Sequence, residues 1–277
     1  MRGRETGELM RKGLLLIPVA LLLIGVGVLA GCGGGAAGMI TVAGSTTVQP
    51  LAEKLAGAYM EDNPDVKIDV MGGGSSVGVA SAADGTVDIG AASRELKPGE
   101  PALVEHLLAR DGIAIVVHPS NQVNDLTKAQ VRDIFAGVIT NWKEVGGTDQ
   151  SITVVAREEA SGTRAAFEEM VMDGELITSR AILEISNGFI KTVVSTTPNS
   201  IGFVSFGYLG DGRVKPLAID GVAATEANAR DGSYPIVRPL YFLTKEEPRG
   251  LVKDFIDFCL GAEGQQIVGE EGYISVN

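Results

Sequence analysis

The sequence is short of cysteine, histidine and tryptophan, with two, two and one respectively in 277 residues. So few imidazoles leave no His/Asp/Glu cluster with metal-ligand spacing, which argues against metal-assisted phosphatase chemistry. No Walker loop is present, no internal repeat or heptad pattern appears, and no cofactor or metal is called for. Basic side chains are outnumbered, 23 Lys+Arg against 35 Asp+Glu, for a net charge of −12. That balance argues against nucleic acid as a partner, because counterion release needs a basic face. An anion bound here must be held by local groups against an unfavourable overall field.

What is present begins at the amino terminus. Arg2, Arg4, Arg11 and Lys12 precede an uncharged, mostly apolar run from Leu14 to Ala30, the pattern of an export signal. The run also approaches the ~20 residues of a membrane span, so an uncleaved anchor is the alternative. Leu29-Ala30-Gly31-Cys32 resembles a lipobox, in which cleavage leaves the cysteine as a lipid-modified first residue; a plain signal followed by an ordinary cysteine is the other reading. Residues 1–31 then form a lipoprotein signal peptide, and the glycine-rich 32–39 a flexible tether to the membrane. Cleavage removes four basic and two acidic side chains, leaving 19 Lys+Arg against 33 Asp+Glu, a net of −14. With Cys32 acylated, Cys259 has no partner, so the fold stands on its apolar core without a disulfide.

From residue 40 onward, short β-branched runs alternate with helical segments, an α/β pattern. Strands are predicted at Ile40–Ala43, Val66–Val70, Asp88–Ala91, Ile152–Ala156, Ile201–Ser205 and Val237–Leu243. Helices are predicted after Thr47, over Val77–Ala83, Thr127–Phe135, Thr163–Val171 and Leu251–Leu260. Leu103, Leu107 and Leu108 place His106 in an apolar helical stretch.

Three clusters of small polar residues each sit where a strand ends and a helix opens: Ser45-Thr46-Thr47, Ser75-Ser76 and Ser161-Gly162-Thr163. The first turn of a helix carries unpaired amide hydrogens and the positive end of its dipole, and anions bind there. Serine and threonine add uncharged donors, and glycine lets the backbone approach an oxyanion. Taken singly, each cluster is also what an ordinary N-cap looks like. Arg157 ends the Ile152–Ala156 strand six residues before Thr163, where its guanidinium can fork onto two oxygens of a tetrahedral anion.

Gly44-Ser45-Thr46-Thr47, Gly74-Ser75-Ser76, Asp88-Ile89-Gly90-Ala91-Ala92-Ser93-Arg94, Ile139-Thr140-Asn141-Trp142, Arg157 through Arg164, and Ile201-Gly202-Phe203-Val204 occur in that order. Together they resemble the phosphate-binding proteins of phosphate ABC importers over about residues 40 to 277. The resemblance implies a type II periplasmic-binding fold: two α/β lobes joined by two crossover strands, with the ligand cleft between them. Lobe 1 would comprise 40–117 and 236–277, lobe 2 118–235, with crossings near Val117–Ser120 and Tyr234–Pro239. It also implies a non-enzymatic monomer that captures inorganic phosphate outside the cytoplasm and delivers it to permease subunits. The implied ligands are Ser45, Thr46, Thr47, Ser75, Ser76, Arg94, Arg157, Ser161, Gly162 and Thr163. Many relatives carry an aspartate where this chain has Arg94, which leaves that residue as either a second cation over the anion or half of an ion pair with Glu95 or another carboxylate. If the ligand's proton is read by a carboxylate, Glu159 and Glu158 are nearest in sequence, with a backbone carbonyl as the rival.

Two other readings stand beside this one. The same fold could take sulfate, molybdate or tungstate. Gly74-Ser75-Ser76-Val77-Gly78 also matches a Gly-x-Ser-x-Gly nucleophile elbow, which would make Ser76 a hydrolase nucleophile if His106 or His118 stood beside it. Trp142 is read either as a permease contact or as a half-buried structural residue.

Overall fold

The computed structural model describes residues 38–277, so the signal segment, Cys32 and residues 33–37 of the tether lie outside the described residues. Among the described residues no helix is long and apolar enough to cross a membrane.

The chain opens with β1 (Gly38–Gly44), α1 (Val48–Asp62), β2 (Val66–Gly72), α2 (Ser75–Asp84) and β3 (Ile89–Ala92), followed by the long strand β4 (Val104–Val117). The middle holds β5 (Asp125–Leu126), α3 (Lys128–Ala136), β6 (Thr153–Arg157), α4 (Gly162–Phe167), β7 (Ile182–Glu184), α5 (Asn187–Thr196) and β8 (Ser200–Ser205). After β9 (Lys215–Pro216), β10 (Ala218–Ile219) and α6 (Glu226–Arg230), the chain ends with β11 (Val237–Thr244), α7 (Gly250–Leu260) and α8 (Ala262–Glu270).

Local chemistry accounts for most of these boundaries. Val48, Leu51, Ala52, Leu55 and Tyr59 bury one face of α1 at helical spacing. Thr127 and Gln130 close a reciprocal capping box at the start of α3. Gly44 has φ +137°, and a Cβ there would lie 2.3 Å from the Ala91 carbonyl oxygen and 2.7 Å from Gly78 Cα. Only glycine lets the start of α2 pack this close to β1 and β3.

The main sheet runs β2-β1-β3-β11-β4-β8-β6-β7, with β9 beside β4. β1 is parallel to β2 and β3, and β6 is parallel to β8 and β7, as crossover helices require. β4 and β11 join these two parallel regions and run antiparallel to each other. β4 pairs with β11 from Val104 to Gly112 and with β8 from Ile113 to Val117. The partner switch therefore falls between Gly112 and Ile113, earlier in the chain than Val117–Ser120.

The segment around His106 is strand, not helix. Leucine spacing there mimics helical periodicity, but Leu108–Ala109 and Ile113–Val117 are buried between neighbouring strands and the layers over them, the environment of a central strand.

Two apolar cores flank this junction. One gathers Ile40, Val42, Leu51, Leu55, Phe242 and Phe255. The other gathers Ile113–Val117, Phe135, Trp142, Phe167 and Phe203, with the Phe167 and Phe203 rings stacked at 4.3 Å. Trp142 is 1 % exposed and its indole N–H donates to the Asn199 carbonyl at 3.0 Å. It is fully buried, more than the half-burial expected of it, and offers no surface to a partner.

Candidate functional site

The polar clusters converge, as helix starts from both cores meet on one another. Thr47 Oγ1 lies 2.9 Å from Thr163 Oγ1, and Arg157 Nη2 donates to Thr46 Oγ1 at 3.1 Å. Gly162 approaches the start of α2 so closely that a Cβ on it would sit 2.0 Å from Ser75 Oγ and 2.6 Å from Ser93 Oγ. The Ser76 amide donates to the Ala160 carbonyl at 3.3 Å. The starts of α1, α2 and α4 thus meet on one another through hydroxyls, amides and glycine.

Within it the predicted residues divide by what their polar atoms already do. Ser45 Oγ accepts from the Thr47 and Val48 amides, closing the start of α1. Ser161 Oγ accepts from the Arg164 amide and caps α4. Each keeps its own proton to donate. Ser75 Oγ accepts from the Ser93 amide at 3.0 Å.

Arg157 is 1 % exposed. Its Nε and Nη2 are anchored on the carbonyls of Glu184 and Ile185 at 3.0 and 2.8 Å. Its Nη1 is buried without a hydrogen-bond partner. Among the described residues no carboxylate lies within ion-pair distance of it. Burial first, and the neighbouring Arg238 charge second, pull its pKa down to about 10, so it remains a cation at neutral pH. A buried guanidinium with an unused donor and no counter-ion is costly unless an anion completes it.

Arg94 is placed differently. It forks onto Glu100 at 2.7 and 2.8 Å, donates to the Glu95 carbonyl and touches Ser76 Oγ at 3.3 Å. Its charge is matched by Glu100, leaving Arg157 as the uncompensated cation. The carboxyl of Glu100 is pushed up by burial, but hydrogen bonds from Arg94 and the Lys97 amide, with the Arg94 charge, bring it below its ordinary value. Glu159 is exposed, and Arg157 rests on the carbonyls of Glu184 and Ile185.

Several groups in the site have no counterpart in the sequence reading. Asn187, at the start of α5, donates to Thr47 Oγ1 at 2.8 Å. Arg238 on β11 forms a fully buried pair with Asp111 on β4, with Nε and Nη2 at 3.1 and 2.8 Å from Asp111 Oδ2. Tyr208 and Tyr273 donate to the carbonyls of Thr46 and Thr47 at 3.1 and 3.0 Å. A signal for half of the ion pair existed: Arg238 is the single charge inside the apolar strand β11, and a charge so placed needs a partner of opposite sign, whereas Asp111 stands beside Arg110 in β4 and carries no such mark.

The nucleophile-elbow reading fails on geometry. The side-chain partner of Ser76 Oγ is Arg94, while His106 bonds Thr244 and His118 bonds Ser120. No imidazole stands beside the serine to take its proton.

Parallel half-sheets joined through two antiparallel strands, with polar helix starts facing across the junction, define the fold of periplasmic binding proteins. The PBP superfamily domain matches residues 33–263. The chain is 41 % identical over 246 residues to the phosphate-binding protein PstS of Bacillus subtilis strain 168, covering 87 % of this chain and 82 % of that one. A Clostridium perfringens protein, crystallised with bound phosphate and described as a phosphate ABC transporter substrate-binding protein, superimposes with a TM-score of 0.83. It is 44 % identical, and the match covers 86 % of this chain and all of that one. An ABC-type phosphate transport receptor from Vibrio cholerae gives a TM-score of 0.73 at 36 % identity, over 85 % and 99 % of the two chains. The chain belongs to the PBP superfamily and, within it, to the family of phosphate-binding PstS proteins.

Proposed function

We propose that this protein captures inorganic phosphate outside the cytoplasm and delivers it to the permease of an ABC importer, by binding and without chemistry. The observation that carries this is Arg157: a buried, uncompensated guanidinium with a free Nη1, set among hydroxyls and helix-start amides. The relative from Clostridium perfringens, crystallised with phosphate, supports the choice of anion.

In this reading the two cores are two lobes that hinge on β4 and β11, with the division inside β4 at Gly112–Ile113. Phosphate docks on one lobe, the other rotates onto it, and water leaves the cleft. Thr46, Thr47, Ser75 and Ser76 approach the anion from one side, and Arg157, Ser161, Gly162 and Thr163 from the other. Charge-assisted hydrogen bonds of about 1.5–3 kcal/mol each more than match a micromolar affinity of about −8 kcal/mol. The surplus offsets dehydration of the ion and the cost of closure. Ser45 supports the start of α1, and Arg94 braces the start of α2 through Ser76. Acylated Cys32 would hold the monomer at the outer face of the membrane through the tether.

Equilibrium dialysis against labelled inorganic phosphate tests the reading. One equivalent should be retained and recovered unchanged. No retention, or turnover of a phosphate ester by the same preparation, would contradict it.

A further inference from the structure

The start of α1 leaves one carbonyl without a helical donor, and the cause is covalent. Thr47 already has right-handed helical backbone angles, and the Gln49 amide donates to the Ser45 carbonyl at 2.9 Å. The next bond of that ladder would run from the amide four residues beyond Thr46 back to the Thr46 carbonyl. That position is Pro50, which has no N–H to give. The carbonyl therefore needs a donor from outside its own helix.

The donor comes from the other core. Tyr208, in the turn Phe206–Tyr208 that follows β8, donates its hydroxyl proton to Thr46 O at 3.1 Å across 162 positions of chain. Burial raises Tyr208 to about 12, so the phenol keeps that proton at neutral pH. The turn is itself fixed to its own side. Lys191 on α5, 6 % exposed, donates to the Tyr208 carbonyl at 2.5 Å and pairs with Asp211 at 2.8 Å.

Thr46 is thus held from that side at two points, its Oγ1 by Arg157 and its carbonyl by Tyr208. The two grips differ in what they leave over. Arg157 keeps Nη1 for an anion, whereas the single proton of Tyr208 is spent on the carbonyl.

We propose that Tyr208 is a positioning residue that latches the cleft shut by donating to the Thr46 carbonyl, the acceptor that Pro50 leaves unfilled. When the halves part, water takes that carbonyl; when they meet, Tyr208 takes it. A helix start without the proline would satisfy the carbonyl internally and give the latch less to hold. The latch rests on the reading of the cleft as a phosphate site that closes over its ligand.

Calorimetric and stopped-flow titrations with inorganic phosphate test this on the wild type, Tyr208→Phe, Pro50→Ala and the double variant. Tyr208→Phe keeps the ring but removes the donor, and affinity should fall about 5- to 20-fold. The loss should appear as faster dissociation with association little changed, because the latch forms after the anion has docked. Pro50→Ala supplies the missing N–H. Alone it should cost no more than about threefold, since the carbonyl's second lone pair still takes Tyr208. In that background Tyr208→Phe should cost less than about threefold, because the new N–H satisfies the carbonyl. A tyrosine that only packs would lose the same factor in both backgrounds. That result, no loss in Tyr208→Phe, or a loss seated in the association rate would overturn the latch and leave the phosphate reading standing. If Pro50→Ala does not fold, the split between the two rates in Tyr208→Phe carries the test. A wild-type protein that binds no phosphate would overturn both.

Discussion

Thr163 and Arg157 show what a single side chain contributes here. Thr163→Ala removes a hydroxyl in contact with Thr47, and phosphate affinity should fall by about 1–3 kcal/mol with little change in melting temperature. Ser161→Ala should cost a similar amount of affinity, plus about 1 kcal/mol of stability, because that oxygen caps α4. Comparing calorimetry with thermal unfolding separates the two effects. Arg157→Lys keeps a charge but cannot hold two carbonyls and a threonine while presenting a free N–H, so it should bind at least about tenfold more weakly. Glu159 makes the opposite case. Its nearness to Arg157 in sequence suggested a proton acceptor, yet it is exposed, and Glu159→Gln should leave phosphate affinity and sulfate rejection unchanged in a competition titration.

These residues also mark what was legible in the sequence and what was not. Small polar runs at strand ends announced Thr46, Thr47, Ser75 and Ser161–Thr163, because helix starts need such residues and the signal is local. Asn187, Asp111 and Arg238 join the site through contacts 94 to 191 positions apart, and nothing in a short window reveals a partner so distant.

At the scale of elements, the approach of α4 to α2 is the tightest constraint. Gly162→Ala places a methyl against Ser75 and Ser93. Overpacking of this kind costs about 1–3 kcal/mol, and here it falls on the contact between opposing helix starts. Phosphate affinity should therefore drop about 10- to 100-fold while far-ultraviolet dichroism stays unchanged. The Arg94–Glu100 clasp gives a pH prediction with a definite sign. Glu100 has a lowered pKa in the folded protein, so the clasp stabilises the fold above the ordinary glutamate value and is lost as pH falls through the lowered one. Thermal unfolding in acid should show this loss in the wild type and a flatter acid limb in Glu100→Gln.

Element prediction succeeded where periodicity was unambiguous, as in α1, α3 and β8. It failed at β4, where leucines spaced as in a helix belong to a strand whose neighbours arrive from β8 and β11. Tertiary pairing overrode local pattern there, and the misread element is the one that joins the two halves.

At the scale of the molecule, two cores share a single sheet through β4 and β11, and the polar cleft lies between helix starts belonging to each core. An acidic body with a net charge of −12 over the full chain repels anions at long range, so in the proposed reading capture depends on the polar helix starts and on Arg157. On that reading selectivity comes from the geometry of these donors and not from the overall field. The most direct test of the central claim is one calorimetric comparison of phosphate, sulfate and molybdate on the same wild-type protein at neutral pH. The account predicts one phosphate per chain at about micromolar affinity or tighter, with sulfate and molybdate both weaker. No heat with phosphate, or tighter binding of either other anion, would contradict it.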